Sequence, residues 1–346
     1  MSLVAIKSAI DTLSAPTISF TILTILFPFF FPPSDWFEKI HRKLGFWRLW
    51  TKAGGITGLV LITSFFVIGY YDKNFNITLT KADNFPIVLM IYSMFFFIWL
   101  GMYKAYRNDI RIDQGLKPEE YNDPDDKVLV WPDLVYIEFI ALILFQVFLI
   151  VWSILVAAPI EEPANPASTP NPSKAPWYFL GLQEMLVYYD PWIAGVLLPT
   201  MIIVGLMAIP YMDINKKGDG YYSFKERRVG MFIFMYGWVV LWLFLIVIGT
   251  FFRGPNWNFF GPFEYWDIHK VEALTNVNLS ELLWVKLLNQ GLPSNIFIRE
   301  SVGFLSVSFY LFVLPVILAK TVLKDMYEAY GPTRYTSLMV FGLLML

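Results

Sequence analysis

Pro163-Ala-Asn-Pro-Ala-Ser-Thr-Pro-Asn-Pro-Ser-Lys-Ala-Pro-Trp-Tyr-Phe-Leu-Gly-Leu-Gln-Glu184 lies between two long apolar runs. Prolines at 163, 166, 170, 172 and 176 exclude a continuous helix here, because each lacks a backbone N–H and disfavours helix in the residue before it. Non-helical backbone beside lipid must be held by protein or line a cavity. From Trp177 onward the residues suit a short amphipathic helix. The stretch therefore reads as a proline-punctuated loop running into an aromatic helix at a membrane surface.

The flanking runs set the fold class. The chain has 346 residues, 57% hydrophobic and only 16% charged, where soluble domains run near 25% charged. Seven apolar segments are long enough to cross a bilayer: about 15–33, 54–71, 85–103, 132–158, 191–212, 230–252 and 301–323. An eighth starts at Thr336. Pro28, Pro32 and Pro33 shorten the first. The expected fold is an all-α integral membrane protein of about seven to eight transmembrane helices. Gly54-Gly55 opens the second span and reads as a helix-packing feature. Asp190 reads as the N-cap of the span beginning at Pro191.

Lys and Arg alternate between connecting segments. Rich segments hold Lys39, Arg42, Lys43, Arg48 and Lys52; then Lys104, Arg107, Arg111, Lys117 and Lys127; then Lys216, Lys217, Lys225, Arg227 and Arg228; then Lys320, Lys324 and Arg334. Between them lie poor segments, with Lys73 and Lys81, with Lys174 alone, and the sparse stretch 253–300. The positive-inside rule then puts the N-terminus, loop 159–190 and 253–300 on the outer side of a bacterial cytoplasmic membrane. Three units are expected: a three-span extension 1–125, a three-span unit 126–252 around the loop, and 253–346, an aromatic outer segment with the C-terminal span or spans.

Composition also excludes chemistries. No cysteine is present, so this chain holds no disulfide, thiolate-bound iron–sulfur cluster or covalent c-type haem. The two histidines, His41 and His269, lie outside the spans and are expected at wet or interfacial surfaces, so no haem is ligated by this chain. No basic stripe points to nucleic acid. Arg227 and Arg228 are expected to hold anionic lipid or set topology. The aromatic run Phe251–Trp266 is expected to fold back on the membrane as an interfacial belt, with a docking surface as the sharper reading.

Within the loop, Trp177, Gly181, Glu184 and Tyr188 share one helical face, and Tyr178, Leu182, Met185 and Tyr189 the next. An aromatic wall, a gap at Gly181 and a carboxylate at membrane depth suit a quinone and a proton acceptor. An aromatic surface helix would carry the same residues with no site.

Asp126-Lys-Val-Leu-Val-Trp-Pro-Asp-Leu-Val-Tyr-Ile-Glu138, Glu162-Pro-Ala-Asn-Pro166 and Ala175-Pro-Trp-Tyr-Phe-Leu-Gly-Leu-Gln-Glu184 resemble the C-terminal domain of cytochrome b, which in split complexes is a separate chain called subunit IV. The resemblance covers about 120–255. It implies a subunit of a cytochrome bc-type quinol:electron-acceptor oxidoreductase, not catalytic alone, whose loop closes the quinol-oxidation site. It further implies quinone, expected to be menaquinone, at a subunit interface. Haem b and an iron–sulfur cluster are then expected on partner chains: a haem-bearing cytochrome b N-terminal-type subunit, a Rieske protein and c-type cytochromes, with lipid around them. One position departs. The family motif Pro-Glu-Trp-Tyr carries a proton-accepting Glu where this chain has Pro176. The expected site is therefore Glu184 as substitute proton acceptor and Tyr178 as positioning group, with Pro176, Trp177 and Gly181 in the quinol pocket. The alternative is a non-catalytic structural or assembly subunit of a redox complex.

Overall fold

The computed structural model describes residues 3–122, 129–156, 163–214, 221–272 and 278–345. The expectations placed on Asp126, Lys127, Glu162, Lys216 and Lys217 lie outside them. Among the described residues the chain is helical, with no strand.

The first helices are α1 (Leu3–Ser14) and α2 (Pro16–Phe30), which meet at 70°. Pro16 forces the break, since it can start a helix but not continue one. Helix α2 ends just short of Pro32, as a pre-proline position dictates. After α3 (Asp35–Leu44) come α4 (Lys52–Tyr70), the short α5 (Lys73–Leu79) and the long α6 (Phe85–Asp113). Next are α7 (Val130–Leu155), α8 (Leu180–Tyr188), α9 (Ile193–Met212), α10 (Phe224–Phe252) and α11 (Ser301–Lys320). Helix α12 (Lys324–Met345) closes the order.

Six of these, α4, α6, α7, α9, α10 and α11, are long and apolar enough to cross a membrane, and the bent α1–α2 pair brings the number to seven if it is one broken span. The chain is a multi-pass membrane protein. The segment expected from Thr336 onward lies in helix α12, which kinks at Gly331, whose φ of +73° suits a residue without Cβ. Beyond the kink it packs Tyr335, Met339 and Leu343 on Tyr310, Leu311 and Leu314 of α11.

Small residues set the close approaches. A Cβ on Gly55 would fall 2.3 Å from the Trp99 ring of α6, and one on Gly58 2.3 Å from Phe95. The Trp99 indole also donates to Thr51 O at 2.9 Å. Gly55 is thus the packing residue expected of the Gly54-Gly55 pair. The main apolar cluster gathers Phe27, Trp50, Met102, Phe224 and Tyr236 from α2, α6, α10 and the turn before α4.

Two arginines at the end of the bundle away from the loop are paired within the chain. Arg228 bonds Asp35 and, at 2.5 Å, Glu38, both of α3. Arg227 reaches Asp213 at 2.5 Å. Arg228 thus ties α10 to α3. The expectation for His41 is corrected. It is buried, its Nδ1 donating to Phe29 O at 2.6 Å between the Phe46 and Phe224 rings. Phe29 O is one of the last carbonyls of α2, which the helix itself cannot satisfy.

Candidate functional site

The loop is organised by one side chain of α8. Gln183 accepts from Ala175 N at 2.8 Å and donates to Ser173 O at 2.9 Å, so its amide brackets Lys174. Pro176 ends the extended stretch, and its carbonyl accepts from Phe179 N at 2.8 Å, opening a tight turn over Trp177–Phe179. At the far end Asp190 Oδ1 accepts from Trp192 N at 2.9 Å, which caps α9 as expected.

Trp177, Tyr178 and Phe179 project from the chain, 38%, 49% and 50% exposed. Their rings pack in series: Trp177 edge-on to Tyr178 at 5.6 Å, and Tyr178 on Phe179 at 4.7 Å. Trp177 also meets Trp242 of α10 at 6.3 Å, and Trp242 stacks on Trp238 at 4.5 Å. Stretches of α10 around these tryptophans have wider, i→i+5 turns. Such turns bring residues four apart closer to eclipsed than the α-helix, with about 3.6 residues per turn, allows.

The face shared by Gly181, Glu184 and Tyr188 turns inward. Gly181 packs on α10, where a Cβ would lie 3.4 Å from Trp242 O. Across the same contact, Gly249 faces Leu180. The space at Gly181 thus admits a neighbouring helix. Leu180 joins Ile87, Ile246 and Phe251 in one cluster, and Met185 joins Ala194 and Leu245 in another.

Glu184 is fully buried, 0% exposed, and lies against Arg253, 6% exposed at the side chain. Arg253 Nη2 donates to Oε1 at 2.6 Å, and its Nε reaches Oε2 at 2.9 Å. Tyr188 OH donates to Oε1 at 2.7 Å, and Arg253 Nη1 donates to Trp257 O at 3.0 Å. Burial opposes the guanidinium charge, but the Glu184 carboxylate outweighs it and raises the Arg253 pKa above its ordinary value. Burial and the adjacent Glu184 charge push the Tyr188 phenol up. A charged pair can occupy this dry position because each partner fills the other's hydrogen-bond capacity.

Arg253 was not anticipated from sequence, and neither was the way 251–266 folds. Phe251, Phe260 and Phe263 are buried, so this run covers the α8–α10 junction. It is pinned by mutual bonds between Asn171 and Asn256, and by Phe263 N donating to Asp11 Oδ1 at 2.9 Å. His269 is exposed nearby, while His41 lies at the other end of the bundle. The two imidazoles therefore cannot face one haem iron. Among the described residues no three His, Asp or Glu side chains converge as metal ligands.

The order is loop, aromatic turn, short helix, two spans, then an aromatic cap locked to the helix by an ion pair. Residues 163–263 match the cytochrome b (C-terminal)/b6/petD family. The match confirms the resemblance read from sequence and takes in the loop, α8, α9, α10 and Arg253. It spans less than half of the chain and stops short of Asp126–Glu138. No solved structure matches the chain.

Proposed function

We propose that the chain is a membrane subunit of a cytochrome bc-type complex, and that its loop and α8 form one wall of the quinol-oxidation site. The observation that carries this reading is a coincidence of position. The cytochrome b-type match falls on the residues where Trp177, Tyr178 and Phe179 stand exposed above the buried Glu184–Arg253 pair. Flat aromatic faces suit a quinol ring, and an exposed wall suits a site completed by another chain.

On this reading the loop faces the outer side of a bacterial cytoplasmic membrane. A menaquinol-type substrate gives up two protons there, and its electrons pass to haem and iron–sulfur centres on partner chains. This fits a chain whose two histidines lie far apart. Trp177 and Pro176 shape the wall and Tyr178 orients the quinol. Glu184 is the proposed proton acceptor, reached through Tyr188, and it takes a proton only when the Arg253 pair opens.

The test is quinol oxidation by the purified complex. Tyr178→Ala and Glu184→Gln are each expected to lower turnover by at least tenfold, with partner chains retained. A complex without inhibitor-sensitive quinol oxidation, or one indifferent to both substitutions, sinks the proposal.

A second reading, a structural subunit, is favoured by one observation: both Glu184 oxygens are already occupied by donors. It requires Glu184→Gln to reduce the amount of assembled complex while leaving turnover per complex intact.

A further inference from the structure

Lys174 is the only basic residue in loop 163–190. Its side chain is half-buried beneath the aromatic cap. The amine donates to Thr250 O at 2.8 Å and lies 5.3 Å from the centre of the Trp266 ring. Gln183 fixes the backbone on both sides of it. The charged groups facing Lys174 are Lys81 before α6, Glu184 of α8 and Arg253 at the end of α10. Two of the three are cations, and the one carboxylate is already engaged by Arg253. The hydroxyl of the same Thr250 is buried with no hydrogen-bond partner among the described residues. An amine held in place with no carboxylate of its own among the described residues is suited to carry a proton rather than a permanent charge.

We infer that Lys174 is a second proton-accepting group of the outer quinol site beside the proposed Glu184, standing two residues before the position where Pro176 replaces the family's Glu. This rests on the proposed quinol-oxidation reading. In the step, a quinol O–H bond breaks, an Nζ–H bond forms and the amine becomes an ammonium. The electrons leave to the one-electron centres of the partner chains, and the ammonium then releases its proton to water. The electrostatics agree. Burial first, then the Lys81 and Arg253 charges, lower the Lys174 pKa to about 7 from 10.5, with Glu184 opposing. Such a group is part amine at neutral pH and regenerates readily.

The test uses the assembled complex and a short-chain menaquinol analogue. Turnover of the unmodified complex rises with pH through an inflection near 7. Lys174→Met and Lys174→Arg each lower turnover by about 10²-fold or more and abolish that limb, while inhibitor binding persists. Arginine keeps the charge but cannot deprotonate. Competitive acetylation of Lys174 in the unmodified complex reads its titration without any substitution and is expected to find a reactive amine at neutral pH. Retention of turnover and limb in both variants overturns the inference and leaves the quinol-site reading standing. So does an amine that titrates above pH 9. No quinol oxidation by the unmodified complex overturns the reading itself.

Discussion

Removing one partner of the Glu184–Arg253 pair should loosen the whole loop end, and removing both should restore most of it. Arg253→Met keeps the stem but leaves a fully buried carboxylate with Tyr188 as its remaining donor. Leaving one buried charge unpaired typically costs about 3–5 kcal/mol. Glu184→Met strands the guanidinium, with a cost of the same order. The double substitution exchanges the pair for apolar contact, which is often close to neutral; the Tyr188 hydroxyl and the Trp257 carbonyl lose their partners, at about 1–3 kcal/mol each, but each of these losses already occurs in one of the singles and cancels in the cycle. The coupling between the two sites should therefore be at least about 3 kcal/mol, or roughly a hundredfold in the local opening equilibrium. Hydrogen exchange of the 177–190 and 253–266 segments, measured in micelles on the four proteins, reads that equilibrium directly. Single substitutions costing under about 1 kcal/mol, or a double whose effect is the sum of the singles, would refute the view that this pair locks the cap to α8.

Three further outcomes follow from the same geometry. Gln183→Ala removes both bonds that bracket Lys174, at about 1 kcal/mol each, and should raise exchange at 173–175 without unfolding α8. Burial lowers the His41 pKa below 6.5, so below that pH the unfolded chain binds a proton the folded chain resists; thermal stability should fall on acidification from pH 7.5 to 5.5, and His41→Phe should flatten the slope. For Lys174, the unfolded chain holds the extra proton between about pH 7 and 10.5; stability should rise with pH across that window, and Lys174→Met should remove the rise.

The helices were legible because a bilayer imposes a length, and uninterrupted apolar runs report it locally. What was not legible depended on which elements meet. Helical spacing puts Gly181, Glu184 and Tyr188 on one face, as observed, yet it says nothing of what that face touches. In the fold it touches α10, so Gly181 serves helix approach. Arg253 lies 69 residues from Glu184 in a run that reads as an interfacial belt. Its only local sign was a lone cation at the end of a span without internal charge. His41 looked wet because it sits in the charged helix α3. Its burial follows from α2 stopping before Pro32, which leaves Phe29 O without a helical partner and folds α3 back to supply one.

The proline at 176 and the lysine at 174 then read as two halves of one change. Position 176 stands only two residues from Lys174 in the same loop. A carboxylate at 176 within reach of the Lys174 amine would give it a counter-ion and hold it as ammonium at neutral pH. Proline there removes that charge and leaves the amine free to deprotonate. Pro176→Glu should therefore raise the pH at which Lys174 becomes reactive to acetylation by at least one unit. In the assembled complex it should also move the rising limb of quinol turnover toward the carboxylate range, as the new side chain takes over the proton. An unchanged Lys174 titration would show that the two positions are electrostatically independent, and that the loss of the carboxylate has to be explained without the lysine.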